Sequence, residues 1–177
     1  MPMSASCTRQ RAARLLLLTA FYTLSFVVMT WPLTPKARDA FVCYPPTGLS
    51  DAFAFLWRID QFTRSIRQGG PYLWTDWQLH PVGINLLLDT YTPIYGLFGL
   101  VIPDPVHALN TVVFLSFLFS GLGGYAVCRL FCQNRLLCAV AGFAFSYCPY
   151  KLFRLCAHYS LILTGAVPFF VWFVIRG

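Results

Sequence analysis

Long apolar stretches, broken by prolines and short basic clusters, recur along this chain and constrain its fold more than any motif does. Residues 15–31 are almost continuously apolar, close to the ~20 residues that one helical crossing of a bilayer requires. Further runs cover 84–102, 106–131, 136–149 and 161–175. The first of these is interrupted by Asp89 and Pro93 and closed by Pro103-Asp104-Pro105, and 136–149 is short for a full crossing. Charged residues make up only 11% of the chain against 58% hydrophobic residues. A soluble domain carries about 25% charge, so this sequence cannot cover a water-facing surface, and its apolar surface belongs in lipid. The fold class is therefore all-α, a polytopic transmembrane helix bundle in one membrane domain over 1–177.

The charges that remain are lopsided, with 13 Lys and Arg against 6 acidic residues, all of them Asp. The arginines sit singly between apolar runs rather than on one face, which argues against nucleic acid as a partner. Beside membrane segments they set topology or meet anionic headgroups. Arg9, Arg11 and Arg14 precede the first run and favour a cytoplasmic start. The basic start and apolar middle also fit a secretory signal, but no small-x-small cleavage site follows, so 15–32 reads as an uncleaved span. If every later run crosses, Arg129 and Arg135 fall outside, against the positive-inside rule; either 84–102 is re-entrant or the rule is overridden. The 7 cysteines include no pair of pairs at zinc spacing and read as small apolar side chains.

Residues 33–83 form a polar, proline-rich loop too long to be a mere connector. Within it Ser50 can cap a helix over 51–67. Phe55, Ile59, Phe62 and Ile66 recur at helical spacing, with Arg58, Gln61, Arg64 and Arg67 away from that stripe. This predicts an interfacial helix lying on the membrane, ended by Gly69-Gly70-Pro71. Tyr72, Trp74 and Trp77 then follow, rings suited to headgroup depth.

No soluble-enzyme motif is present: no glycine-rich phosphate loop, no Gly-x-Ser-x-Gly and no His-Glu-x-x-His. The chemistry-bearing residues stand at membrane boundaries. Asp51 opens the predicted helix, where the dipole favours a negative charge. An ionised carboxylate there can hold a divalent cation or accept a proton, or simply stabilise the first turn. His80 precedes the second run, as a base, a ligand or an interface residue. Asp89 lies inside an apolar run, where an ionisable group is a functional candidate. Lys151 and Arg154 place two cations at one boundary, fit either to clamp a phosphate or to snorkel, and His158-Tyr159 follow one turn later.

The order of these pieces carries a resemblance. An apolar span precedes Asp51 and Phe55-Leu56-Trp57. Next come His80-Pro81-Val82-Gly83-Ile84-Asn85-Leu86, Thr92-Pro93 and Ala108-Leu109-Asn110. Then follow Ser120-Gly121-Leu122-Gly123-Gly124-Tyr125, Ala141-Gly142-Phe143-Ala144-Phe145-Ser146, Pro149-Tyr150, Arg154, His158-Tyr159-Ser160-Leu161 and Pro168. The series resembles the N-terminal part of bacterial multi-span glycosyltransferases of the GT-C type. What the resemblance implies is a cytoplasmic (inner) membrane enzyme that moves a sugar from a polyprenyl-phosphate carrier to an extracytoplasmic acceptor. It implies Asp51 as the essential carboxylate of the first outer loop, as base or as ligand of a divalent metal. His80, Lys151, Arg154 and His158 are then the substrate-binding set. Two positions depart from the pattern: Ala157 stands where relatives carry a glycine, and Asp89 where an uncharged residue or a histidine is expected. Such enzymes have roughly twice as many spans, so the chain is expected to be incomplete as a stand-alone enzyme or to need a membrane protein partner. The alternative is a non-catalytic scaffold, subunit or truncated fragment.

Overall fold

The computed structural model describes residues 5–43, 51–88, 93–156 and 158–177. Seven α-helices account for most of these: α1 Ala5–Met29, α2 Asp51–Arg67, α3 Pro93–Val101, α4 Pro105–Phe131, α5 Arg135–Ser146, α6 Pro149–Leu155 and α7 Ala166–Arg176. Between α2 and α3 a short antiparallel hairpin pairs β1 (Trp74–Thr75) with β2 (Ile84–Asn85), Trp74 opposite Asn85. Ser50, the expected cap of α2, and Asp89 lie outside the described residues.

Among the described residues, four stretches are long and apolar enough to cross a membrane: Arg9–Met29, Pro105–Phe131, Arg135–Leu155 and Tyr159–Arg176. The last two extend the expected runs at 136–149 and 161–175. Arg135–Leu155 joins α5 and α6 around a break ahead of Pro149, and Tyr159–Arg176 joins a 3-10 turn at Tyr159–Ile162 to α7. The run at 84–102 behaves otherwise. Its described residues form β2, a 3-10 turn at Leu86–Leu88 and the 9-residue α3. Nine residues rise only ~13 Å, well short of a ~30 Å hydrocarbon core. Proline suits the first position of α3, where its missing amide would have no intrahelical partner.

The chain forms two compact units, one from residues up to 34, 114–149 and 164–177, the other from 35–113 and 150–163. In the first unit α4 is the common partner, through three glycines in one turn. A Cβ on Gly121 would meet the Tyr22 ring of α1 at 2.7 Å, one on Gly123 would meet Pro168 of α7 at 2.6 Å, and one on Gly124 would meet the Gly142 backbone of α5 at 3.0 Å. Small residues let helix backbones approach where lipid provides no hydrophobic drive between them. Buried hydroxyls join the same helices: Ser146 Oγ donates to the Phe117 carbonyl at 2.7 Å, and Tyr22 donates to that of Ala139 at 3.1 Å. The turn between α4 and α5 is set by Asn134, whose side chain accepts from the amides of Leu136 and Leu137 at 3.0 and 3.2 Å. Leu15, Leu16, Leu17, Leu24 and Val28 of α1 stay exposed, an arrangement that lipid satisfies and water does not.

In the second unit α2 occupies the span its spacing predicts, and ends as Gly69 turns left-handed (φ 68°) with the Gly70 amide reaching back to the Ser65 carbonyl at 2.8 Å. Its apolar stripe is not left bare. Phe55, Ile59 and Phe62 are buried, and α3 covers them with a glycine face: Gly96 seats the Phe62 ring and Gly99 lies against Ile59 and Thr63. Ile66, predicted to share the stripe, is 41% exposed, whereas Gln61, expected on the polar side, is 3% exposed. Buried Asn110 of α4 ties down the segment after α1, donating to the carbonyls of Ala37 and Ala40 at 2.7 Å each.

Candidate functional site

Asp51 and His158 are 107 residues apart in the chain, yet Nδ1 of the imidazole lies 2.9 Å from Asp51 Oδ2. Both side chains remain about half exposed, at 53% for Asp51 and 44% for His158. An ionised carboxylate only accepts hydrogen bonds, so the imidazole proton sits on Nδ1 and points to Asp51. That leaves Oδ1 of the carboxylate and Nε2 of the ring for other partners.

Each member is fixed by its local backbone. Asp51 is the first residue of α2, where unsatisfied amides favour a negative charge. His158 precedes the 3-10 turn, its amide donating to the Arg154 carbonyl at 2.8 Å and its carbonyl accepting from the Leu161 amide at 3.0 Å. The next residue is the anchor. The Tyr159 ring is fully buried and meets Phe55, one turn along α2 from Asp51, edge to face at 5.6 Å. Its hydroxyl donates to the Val42 carbonyl, and its own carbonyl accepts from the Tyr95 hydroxyl of α3 at 2.7 Å. Tyr95 also meets Phe55 at 5.5 Å. An exposed polar pair thus stands on a buried triad of rings whose geometry favours edge-to-face contact. Burial, and then the neighbouring Tyr159, hold the Tyr95 phenol above its ordinary range, so it persists as a hydrogen-bond donor. Tyr95→Phe should therefore lower the thermal unfolding temperature of the purified chain, at a cost of about 1–3 kcal/mol for stripping a buried carbonyl of its donor.

The other residues singled out in the sequence lie elsewhere. His80 is exposed on the loop joining β1 to β2, and no side-chain hydrogen bond ties it to the Asp51–His158 pair among the described residues. Lys151 is wholly buried, at 0% exposure, so a phosphate would have to enter the protein to reach it. Arg154 lies over the rings of Tyr150 and Phe153 at 5.5 and 5.8 Å, with Nε buried and without a hydrogen-bond partner. Of the expected set, then, the fold joins Asp51 to His158 and holds Arg154 one turn behind that histidine. Sequence reasoning missed Tyr95 and Phe55 as supports; a tyrosine inside an apolar run was the one available signal.

A divalent metal at Asp51 finds few ligands. Among the described residues no three His, Cys, Asp or Glu side chains gather, and one Asp51 oxygen is already engaged by an imidazole. Hard cations take six or more oxygens, or one or two carboxylates completed by water and substrate phosphate, so a cation here would bind Asp51 Oδ1 and draw its remaining ligands from water and a substrate phosphate. Comparison with protein-family models, with curated proteins and with solved structures gives no match.

Proposed function

We propose that the chain is part of a membrane glycosyltransferase that moves a sugar from a polyprenyl-phosphate donor to an acceptor on the outer side of a bacterial cytoplasmic membrane. The observation that carries this reading is the half-exposed Asp51–His158 pair, assembled from distant segments onto a rigid aromatic support. In this reading His158 orients the carboxylate, and Asp51 Oδ1 takes the proton of the acceptor hydroxyl as its oxygen attacks the anomeric carbon. The polyprenyl phosphate departs with the bonding electrons. Arg154, adjacent in α6, is the cation nearest in sequence for that leaving phosphate. No step is routed through a metal.

Sidedness supports the same reading. With four crossings rather than five, Arg9, Arg11 and Arg14, the Arg129 and Arg135 that flank the α4–α5 turn, and Arg176 all fall on one face. Near the span ends that face carries more basic residues than the other, where Lys36, Arg38, Lys151 and Arg154 stand, so the positive-inside rule favours it as cytoplasmic. Asp51 follows the first crossing and His158 follows the third, so both fall outside. In intact cells an impermeant maleimide should label exposed Cys43, while a cysteine placed at Gln133 in the α4–α5 turn should react only after permeabilisation. The reverse pattern would put the pair in the cytoplasm and remove this support.

The burial of Lys151 favours a second reading, a non-catalytic membrane scaffold that lacks an exposed phosphate clamp. Membranes holding the full chain, supplied with short-chain polyprenyl-phosphate hexoses carrying a radiolabel in the sugar, separate the two. Label transfer that depends on Asp51 supports the enzyme; absence of any Asp51-dependent transfer supports the scaffold.

A further inference from the structure

A second feature of the same unit lies at the other end of α2. The C-terminal half of that helix and the β1 hairpin enclose an open cleft of about 140 Å3. This is smaller than the ~300–1,000 Å3 pockets that take drug-sized ligands, and suits one small ring. Two indoles line it, with Trp74 at 43% and Trp77 at 55% exposure. Trp74 is held in place by Gly83 (φ 75°), where any Cβ would come within 2.7 Å of the indole Cε2. The polar lining comes from Gln61, Gln68, Arg64 and Asp76.

Gln61 points to an occupant. It is 3% exposed, its Nε2 donates to Ser65 Oγ at 3.1 Å, and its Oε1 is buried with no hydrogen-bond partner. A buried amide oxygen left unpaired costs about 1–3 kcal/mol, and a donor in the cleft would remove that cost once the Gln61 side chain turns its oxygen outward. The charge balance excludes an anion as that donor's source. Arg64 is already bound to Asp60 at 2.8 Å and lies 5.8 Å from the Trp77 ring centre, and Asp76 adds a negative charge. Indole faces beside Asp76 would also accept a cation, but the Gln61 and Gln68 amides, which hydrogen-bond to hydroxyls, favour a neutral polyhydroxyl ring. Its C–H face lies on the indole and its hydroxyls serve the amides.

We infer that the Trp74–Trp77–Gln61 cleft is a saccharide-binding subsite. Gln61 stands ten residues along α2 from Asp51, ~15 Å at the helical rise, so a bound ring is a distal unit of a glycan rather than the reacting one. Binding itself does not depend on the proposed transfer, although the purpose assigned to it rests on that reading.

The test is tryptophan fluorescence of the full chain in nanodiscs, since maltoside detergents would compete, titrated with gluco-, manno- and galacto-configured trisaccharides. The expected result is a saturable change with at least one of them. Binding should weaken about ten-fold or more in Trp74→Ala and in Gln61→Leu, as loss of a stacking face or an amide partner implies. Trp74→Phe should keep most of it by keeping an aromatic face. Asp51→Asn should bind like the parent even if transfer is lost, which separates failure of this inference from failure of the transferase reading. The absence of a saturable response in folded parent protein would overturn the inference. So would a response that persists in Trp74→Ala and Trp77→Ala, or quenching of both indoles by brominated phospholipid, which would make them headgroup anchors.

Discussion

Asp51→Asn is expected to cut sugar transfer by about 10²–10⁴-fold, the usual contribution of a positioned general base, while membrane insertion and yield stay unchanged. The side chain is half exposed at the head of α2, and asparagine keeps its shape, so the loss falls on chemistry rather than folding. His158→Gln should cost less, since an amide can still donate to Asp51 from a similar place. His158→Ala should cost more, since the carboxylate then loses its orienting partner. The decisive quantity is the double variant. If the imidazole acts through Asp51 across the 2.9 Å contact, Asp51→Asn with His158→Ala should be no worse than Asp51→Asn alone. Multiplied losses would mean that His158 works independently, as a direct substrate ligand. Full activity in Asp51→Asn would end the proposal that this carboxylate is the base.

The second large effect is expected where α5 crosses α4. A side chain at Gly142 meets the Tyr22 hydroxyl, the Gly121 carbonyl and, at 3.0 Å, the Tyr125 amide. Two of these are backbone atoms and cannot turn aside, so relief requires the helices to separate. Gly142→Ala should destabilise by about 1–3 kcal/mol, the range for overpacking a tight interior. Gly142→Leu should prevent a monodisperse fold in detergent altogether. Buried Cys138 on the same helix gives a convenient reporter, because its reaction with a fluorogenic maleimide on heating follows opening of the bundle. Tyr22→Phe removes one of the three obstructing atoms and should restore part of the stability lost in Gly142→Ala. An alanine variant that melts with the parent would show that α4 and α5 are not in this close contact.

Local patterns foretold these elements well where one surface decided them. The 3.6-residue spacing of Phe55, Ile59 and Phe62 and the Gly69-Gly70 stop define the body and the C-terminal end of α2, because an amphipathic helix and its terminator are written within a few residues. The small residues of α4 announced close helix contacts, though not that successive glycines would serve three different partners. What the sequence left open has a common physical origin. Apolar content alone cannot tell a crossing helix from the strand and turn over 84–88 and the short helix over 93–101, since burial against protein and burial in lipid ask for the same side chains. The same ambiguity hid Gln61, whose burial follows from the hairpin folding back beside α2 rather than from its own position. Asp51 and His158 were each legible as boundary residues. Their meeting was not, because a single chain carries no local trace of a contact made across 107 positions.

That separation has a consequence for biosynthesis. When Asp51 leaves the ribosome it has no imidazole to meet, and α4, α5 and α6 must all be made before one arrives. A chain stalled or misinserted at any of those helices displays a lone carboxylate and an unfilled ring cluster, because Tyr159 arrives with His158. The pair therefore forms only after three of the four candidate crossings have been made, and the fourth, which begins at Tyr159, follows directly behind it.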